Sequence, residues 1–95
     1  MNKEMIINKL EERKDGLKAR GIKRIGLFGS YLKGTQKRGS DIDLLINLDD
    51  ISARNYFGLW TYFENLFGRK VDLIIEEDLK PELKYVKKEA LYVKI

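Results

Sequence analysis

Two aspartates inside a short apolar run constrain this chain more than any other feature. The run is DIDLLIN, residues 41 to 47, and its length and apolar content predict a buried β-strand. Alternation along a strand places Asp41 and Asp43 on one face, with Ile42 and Leu44 on the other. Two carboxylates about 5 Å apart repel by about 3 kcal/mol at an effective dielectric of 20. Either a bound cation removes that cost, or the aspartates lie at a solvated strand edge.

A third carboxylate repeats the pattern in the run RKVDLII, residues 69 to 75, which predicts another strand. Asp72 shares a face with Ile74 and is a lone acidic group among apolar residues. If this strand neighbours the first carboxylate strand, all three aspartates gather on one surface, as a ligand set for one or two magnesium ions. The structural alternative is a strand-end aspartate or a salt bridge to Arg69 or Lys70.

The composition limits the chemistry that such a site can perform. The 95 residues contain no cysteine and no histidine, which excludes Ser-His-Asp and Cys-His catalysis and thiolate or imidazole metal ligands. Any metal must be held by oxygen, which favours a hard ion. The length predicts one domain over residues 1–95. The short apolar run near the N-terminus suits neither a signal peptide nor a membrane span, so we expect a cytoplasmic protein without membrane contact.

Hydrophobic periodicity predicts the order of helices and strands. It predicts helices over residues 3–19, 53–67 and 80–90, strands over residues 22–28, 41–47 and 69–75, and, less strongly, a short helix from Ser30 and a final strand over residues 91–95. This order indicates the α/β (α+β) class, with a small mixed β-sheet packed by helices on one or both faces.

Helical spacing also predicts which side chains form the core. The predicted inner positions are Ile6, Leu10, Arg13 and Leu17 on the first helix, Tyr56, Trp60, Phe63 and Phe67 on the second, and Leu83, Val86 and Ala90 on the last. The aromatic stripe of the second helix is typical of core residues, which counts against a basic module that stacks nucleic-acid bases.

A glycine-serine pair follows the first predicted strand and indicates an anion site. Glycine at position 29 permits close approach of the backbone to a ligand, and Ser30 is a suitable helix N-cap. A helix that begins there would direct free N–H groups at an anion, with Lys33 nearby. The segment matches neither the P-loop nor the dinucleotide-binding pattern. A plain turn is the alternative, and we favour it for Lys37 and Arg38.

Together these motifs resemble the signature of the polymerase-β-type nucleotidyltransferase superfamily. The signature stands here as FGS at residues 28–30, a spacer of ten residues, DIDL at residues 41–44 and VDL at residues 71–73. The chain is most similar to the minimal nucleotidyltransferases, called MNT, over nearly its whole length. One position departs from the family pattern, because Lys33 stands where such sequences usually carry arginine. Lysine keeps the charge but lacks the planar fork that binds phosphate at two points.

The resemblance implies a polymerase-β-like core that transfers a nucleotide from a magnesium-bound triphosphate, usually ATP, to a hydroxyl. It assigns phosphate binding to Gly29, Ser30 and Lys33, and binding of two Mg²⁺ ions to Asp41, Asp43 and Asp72. Asp72 would also help to deprotonate the acceptor. Positioning and electrostatics would supply most of the rate.

The resemblance also implies a partner. Minimal nucleotidyltransferases commonly act as antitoxins beside a helical HEPN toxin, and some add AMP to a tyrosine of that toxin. We therefore expect a protein adenylyltransferase that forms a hetero-oligomer with a HEPN-type partner and makes no direct contact with nucleic acid. Two alternatives stay open: an antitoxin that binds nucleotide or partner without catalysis, and a transferase for a small hydroxylated molecule such as an aminoglycoside.

Overall fold

A four-stranded mixed sheet forms the centre of the structure, a computed structural model that describes residues 1–95. The strands are β1 (Ile22–Phe28), β2 (Ile42–Leu48), β3 (Val71–Ile75) and β4 (Leu91–Val93). Their order across the sheet is β3-β2-β1-β4. β1 runs antiparallel to both β2 and β4, whereas β2 and β3 are parallel. The predicted α+β class and mixed sheet are confirmed.

Five helices connect and cover these strands. They are α1 (Lys3–Glu12), α2 (Lys14–Ala19), α3 (Gly29–Lys33), α4 (Ala53–Phe67) and α5 (Tyr85–Glu89), with 3₁₀ turns at Glu76–Asp78 and Pro81–Leu83. The long α4 makes the crossover that a parallel β2–β3 pair requires. None of the helices combines the length and apolar character needed to cross a membrane.

The single first helix predicted over residues 3–19 is wrong, because the chain breaks at Arg13. Arg13 leaves helical geometry, with φ −108° and ψ 14°. Continuous helical spacing would have directed this charged side chain into the core. The break leaves Arg13 exposed while the predicted residues Ile6, Leu10 and Leu17 are all buried.

The two faces of the sheet carry two separate cores. The larger core lies between the sheet and α1, α2 and α4, and includes Ile42, Leu44 and Ile46 of β2. A smaller cluster on the opposite face joins Leu45 to α5. The alternation predicted for β2 is therefore confirmed, and Asp43 shares the face of the smaller cluster.

The aromatic stripe predicted for α4 is only partly a core stripe. Phe63 and Phe67 are buried as predicted, and Tyr56 packs against the core. The prediction is wrong for Trp60, whose side chain is 38% exposed, and the fully buried residue of that turn is Leu59. The reason is that α4 passes beside the edge strand β3, where the indole Nε1 of Trp60 donates a hydrogen bond to a backbone carbonyl of β3 at 2.9 Å.

The last helix is shorter than the predicted 80–90 segment. Pro81 begins a separate 3₁₀ turn, and α5 covers only residues 85–89. Val86 and Ala90 are buried as predicted, but Leu83 is 41% exposed. Leu83 precedes α5 and is out of phase with its inner face, which corrects the prediction for this residue.

Candidate active site

The acidic residues meet where the N-terminal ends of β2 and β3 adjoin the C-terminal end of β1. Asp43 lies directly opposite Asp72 in the parallel register, and opposite Phe28 in the antiparallel register with β1. Asp41 immediately precedes β2. The adjacency of the two carboxylate strands, on which the sequence argument depended, is present. The fold thus places three aspartates along one end of the sheet.

Asp43 is the electrostatic centre of this group. The pKa of its carboxyl is raised from 3.8 to about 6, most of all by burial, and then by the negative charges of Asp72 and Asp41. The backbone N–H of Ser30 interacts with the carboxylate and partly opposes this shift. Asp72 and Asp41 therefore both act on Asp43, and a cation bound beside it would relieve both the repulsion and the cost of burial.

The side chains do not converge into a closed metal cage. No group of three or more carboxylates is close enough to hold a single ion. Asp41 and Asp72 are exposed, whereas Asp43 is half-buried. The donor set suits a hard cation, because it is entirely carboxylate oxygen. Binding one would require the two exposed side chains to turn toward Asp43.

Salt bridges do not account for these aspartates. The ion pairs of the structure join Lys23 to Asp49 and Arg24 to Glu76. Arg69, the alternative partner considered for Asp72, instead directs a guanidinium N–H to the Tyr31 hydroxyl at 3.3 Å. The reading of Asp72 as one half of a structural ion pair therefore has no support in the geometry.

Gly29 is required by its contact with Asp43. Its φ of +74° lies in the left-handed region, and a β-carbon there would lie 2.8 Å from Cγ of Asp43 and closer still to a carboxylate oxygen.

The prediction that Ser30 caps the helix is wrong. The N-cap is Phe28, which makes no side-chain capping bond, and Ser30 lies within the first turn of α3.

A cleft of about 440 Å³ opens beside the aspartates. Its polar lining includes Gly29, Lys33 and Asp72 from the predicted site. Its opposite wall comes from the C-terminal segment, through Leu79, Lys80, Leu83, Tyr85, Val86 and Glu89. Ser30, Asp41 and Asp43 do not line the cleft but adjoin its floor through Gly29 and Asp72. Lys37 lies outside the cleft, in a turn that the Ser40 hydroxyl closes at 2.8 Å.

Glu76, which no sequence motif indicated, is the one charged side chain among the buried residues, at 4% exposure. Its carboxylate accepts two hydrogen bonds from Arg24 of β1, at 2.9 and 2.6 Å, and one from Asn47 of β2 at 3.2 Å. The hydroxyl of Tyr92 in β4 approaches it at 3.4 Å. A signal existed, since Arg24 falls on the same face of β1 as Phe28, but nothing in the sequence indicated its distant partner.

A mixed sheet that places paired carboxylates beside a glycine-serine turn and a cleft defines a nucleotidyltransferase type of protein. The nucleotidyltransferase domain family matches residues 5–94, and the chain belongs to that family. This confirms the predicted family and the predicted enzyme class.

Curated relatives agree with this assignment. Protein adenylyltransferase MntA of Thermococcus cleftensis is 40% identical over 75 residues, which cover 77% of this chain and 76% of that protein. A Methanocaldococcus jannaschii protein assigned as a protein adenylyltransferase is 41% identical over 70 residues, which cover 70% of this chain and 68% of that protein. The similarity to each spans more than two thirds of both chains.

Solved structures share the fold. A protein assigned as a minimal nucleotidyltransferase matches with a TM-score of 0.81 at 29% identity, over 96% of this chain and 95% of that chain. A toxin–antitoxin complex with AMP-PNP matches with a TM-score of 0.73 at 27% identity, over 90% of this chain and 70% of that chain. The predicted polymerase-β-like core is therefore confirmed as a minimal nucleotidyltransferase fold.

Proposed function

We propose that residues 1–95 form one minimal nucleotidyltransferase domain that transfers AMP from ATP to a hydroxyl of a protein partner. The observation that carries this proposal is the parallel register that sets Asp43 opposite Asp72. The adjoining cleft provides the space for a nucleotide. The activity named for the Thermococcus relative and the nucleotide analogue named for the toxin–antitoxin neighbour support the same reading.

The aspartates are proposed to hold magnesium. Asp41, Asp43 and Asp72 would supply its oxygen ligands, and two ions suit the family pattern. Bound Mg²⁺ would neutralise charge on the triphosphate and on the transition state. The raised pKa of Asp43, at about 6, supports this role, because it leaves the carboxylate ionised near neutrality yet costly without a counter-charge.

The remaining residues are proposed to orient the triphosphate and the acceptor. Gly29 and Ser30 would bind the β- and γ-phosphates, with Lys33 supplying positive charge from the cleft wall. The acceptor oxygen forms a bond to the α-phosphorus, the bond from that phosphorus to the bridging oxygen breaks, and pyrophosphate leaves. Asp72, exposed at the cleft, would accept the proton of the acceptor hydroxyl.

We propose a tyrosine of a HEPN-type toxin as the acceptor, with this chain as a cytoplasmic antitoxin in a hetero-oligomer with that toxin. Similarity to toxin–antitoxin structures supports a toxin partner. The HEPN class and the tyrosine come from the family resemblance. A domain of 95 residues has little surface of its own for selecting an acceptor, which favours an acceptor that a bound partner presents.

Transfer is tested with ATP labelled at the α-phosphate, in the presence of magnesium and lysate of the source organism. We expect a labelled protein band with wild type and none with Asp43→Asn. Asp49→Asn is the matched control, because Asp49 pairs with Lys23 at the surface, away from the cleft. Label that appears from γ-labelled ATP instead would indicate phosphoryl transfer and contradict the proposal.

A non-catalytic antitoxin is the second candidate, and the exposed apolar side chains of α4 favour it. Phe57 is 55% exposed and Trp60 38% exposed, so a partner could bury them whatever the active site does. This candidate predicts that Asp43→Asn still neutralises the toxin in cells. Under the catalytic proposal the same variant fails to protect while still binding the toxin. An aminoglycoside-type acceptor would appear as a labelled small molecule with no labelled protein.

A further inference from the structure

The cleft has an apolar wall that the proposed phosphate and metal residues do not explain. Lys33 and Asp72 lie at its polar end, beside Gly29. The segment that precedes and begins α5 supplies four apolar side chains to the opposite wall, those of Leu79, Leu83, Tyr85 and Val86. The same part of the chain also supplies charged residues, namely Asp78, Lys80 and Glu89. A site that bound only phosphate and metal would have no use for four apolar side chains on one wall.

Two of these side chains are about half exposed, which is costly for large apolar groups that border the same cavity. Leu83 is 41% exposed and Tyr85 is 52% exposed. Tyr85 has no hydrogen bond from its hydroxyl within the chain. Its ring is therefore available for contact, and the leucines beside it provide an apolar surface for a flat group.

We propose that the Leu79–Val86 wall is the nucleobase subsite of the cleft, and that the base stacks on the ring of Tyr85. This inference rests on the proposed function, because it assumes that the ligand is a nucleoside triphosphate. The orientation follows from the proposed phosphate site: Gly29 and Lys33 would hold the phosphates, so the base would lie against the exposed side chains of Leu83 and Tyr85. The volume of about 440 Å³ lies in the range of small-molecule sites.

The subsite predicts how base identity affects binding. Stacking strength grows with ring area and needs no specific hydrogen bond, so purine nucleotides should bind more tightly than pyrimidine nucleotides. Stacking on Tyr85 uses no donor or acceptor, so any choice between purines would fall to the polar side chains of the same wall, such as Lys80 and Glu89. We therefore expect Tyr85 to contribute affinity for the base and little discrimination between adenine and guanine.

The experiment is calorimetric titration with the non-transferable analogue α,β-methylene-ATP in magnesium. We expect Tyr85→Ala to weaken binding about tenfold, within the range measured for removal of an aromatic stacking partner. Tyr85→Phe should bind like wild type, and Tyr85→Leu should lie between them. Phe57→Ala is the matched control, since Phe57 is an equally exposed aromatic outside the cleft. Leu83→Ala provides a second disruption of the wall.

Inorganic tripolyphosphate, which has the phosphates but no base, distinguishes an effect on the base subsite from an effect on the phosphate site. Its affinity should be the same for wild type and Tyr85→Ala, and a matching loss would show that Tyr85 acts on the whole cleft, which would overturn the proposal. Unchanged analogue affinity with a raised KM for the acceptor would assign the wall to the acceptor instead. If wild type binds the analogue through Tyr85 but transfers no label, the base subsite stands and the proposed transfer fails.

Discussion

At the scale of a single residue, the Asp43 carboxylate lowers the stability of the fold, because it is partly buried and lies near other negative charges. It is half-buried against Gly29, and burial together with the charges of two neighbouring aspartates raises its pKa to about 6. A neutral residue of the same shape would avoid both penalties. A residue that lowers the stability of the free protein is expected at a ligand-binding site, because the bound ligand supplies the opposite charge that the residue lacks.

Asp43→Asn should abolish transfer while making the folded chain more stable. We expect activity to fall at least about 100-fold, since a charged group of the reaction site is lost. The variant keeps an oxygen for the Ser30 N–H and removes the buried charge. The full pKa shift corresponds to about 3 kcal/mol, and screening at a half-exposed group reduces the expected gain at pH 7 to about 1–2 kcal/mol.

The pH dependence of that gain follows from the direction of the shift. The folded wild type binds the Asp43 proton more tightly than the unfolded chain does, so wild type loses stability as the pH rises from 3.8 to about 6. Urea unfolding in chelator should therefore show the advantage of Asp43→Asn growing between pH 4 and pH 7. An advantage that stayed constant over this range would contradict the assigned pKa.

Gly29→Ala tests the contact between the turn and the carboxylate. Gly29 and Gly34 share a φ of +74°, but only at Gly29 would a β-carbon meet other atoms, those of Asp43. Both alanine variants carry the backbone strain of about 1 kcal/mol. Gly29→Ala should lose a further 1–3 kcal/mol or so in urea unfolding, and its transfer activity, because Asp43 must move. Equal losses in the two variants would show that Asp43 is not held against the turn.

At the scale of the element, α4 protects an edge of the sheet. β3 is an edge strand, and such strands leave unpaired backbone groups that invite association with other chains. The side chain of Glu64 accepts from the Val71 N–H at 3.0 Å, and Trp60 donates to the Val71 carbonyl at 2.9 Å. Tyr56 donates to the carbonyl of Leu73. One helix thus buries its inner face and also covers the edge beside it.

Trp60→Phe measures how much the hydrogen bond from Trp60 to the edge strand β3 contributes to stability. The variant keeps an aromatic ring but leaves the Val71 carbonyl without the indole donor, which should lower the free energy of unfolding by about 1 kcal/mol. Circular dichroism must follow the unfolding, because Trp60 is the only tryptophan. Phe57→Leu, at an exposed position of the same helix, should change stability by less than about 0.5 kcal/mol. A similar loss of unfolding free energy in both variants would show that Trp60 contributes through packing and not through its hydrogen bond to β3.

The residues of α4 also show what a sequence can predict. Periodicity predicted the bounds of α4 and the buried Phe63, because amphipathic spacing is a local property. It misplaced Trp60, since the position of the helix beside an edge strand depends on strand order. The sequence placed Asp43 and Asp72 on strands but left open whether those strands are neighbours, which the strand pairing of the fold decides: they are adjacent and parallel. Glu76 was not predicted, because its partners come from three separate strands.

At the scale of the molecule, the Glu76 cluster joins the sheet to the cleft wall. Glu76 begins the 3₁₀ turn after β3, and Asp78, Leu79 and Lys80, which follow it, line the cleft. Its carboxylate binds Arg24, whose guanidinium lies 4.3 Å from the centre of the Tyr92 ring. Attraction to Glu76, mainly through their hydrogen bond, raises the pKa of Arg24. The position of the wall thus depends on β1, β2 and β4 together.

Removal of Arg24 should be more damaging than removal of the whole ion pair. Arg24→Met leaves Glu76 charged at 4% exposure, so we expect a loss of about 2–4 kcal/mol in urea unfolding, discounted because Arg24 is about half exposed. Adding Glu76→Gln removes the unpaired buried charge. The free energy of unfolding of the double variant should therefore exceed that of Arg24→Met by at least about 1 kcal/mol. Because the turn sets the cleft wall, nucleotide affinity should fall in Arg24→Met and return partly in the double variant. Strictly additive losses would mean that the two residues act independently and that the wall does not depend on their pairing.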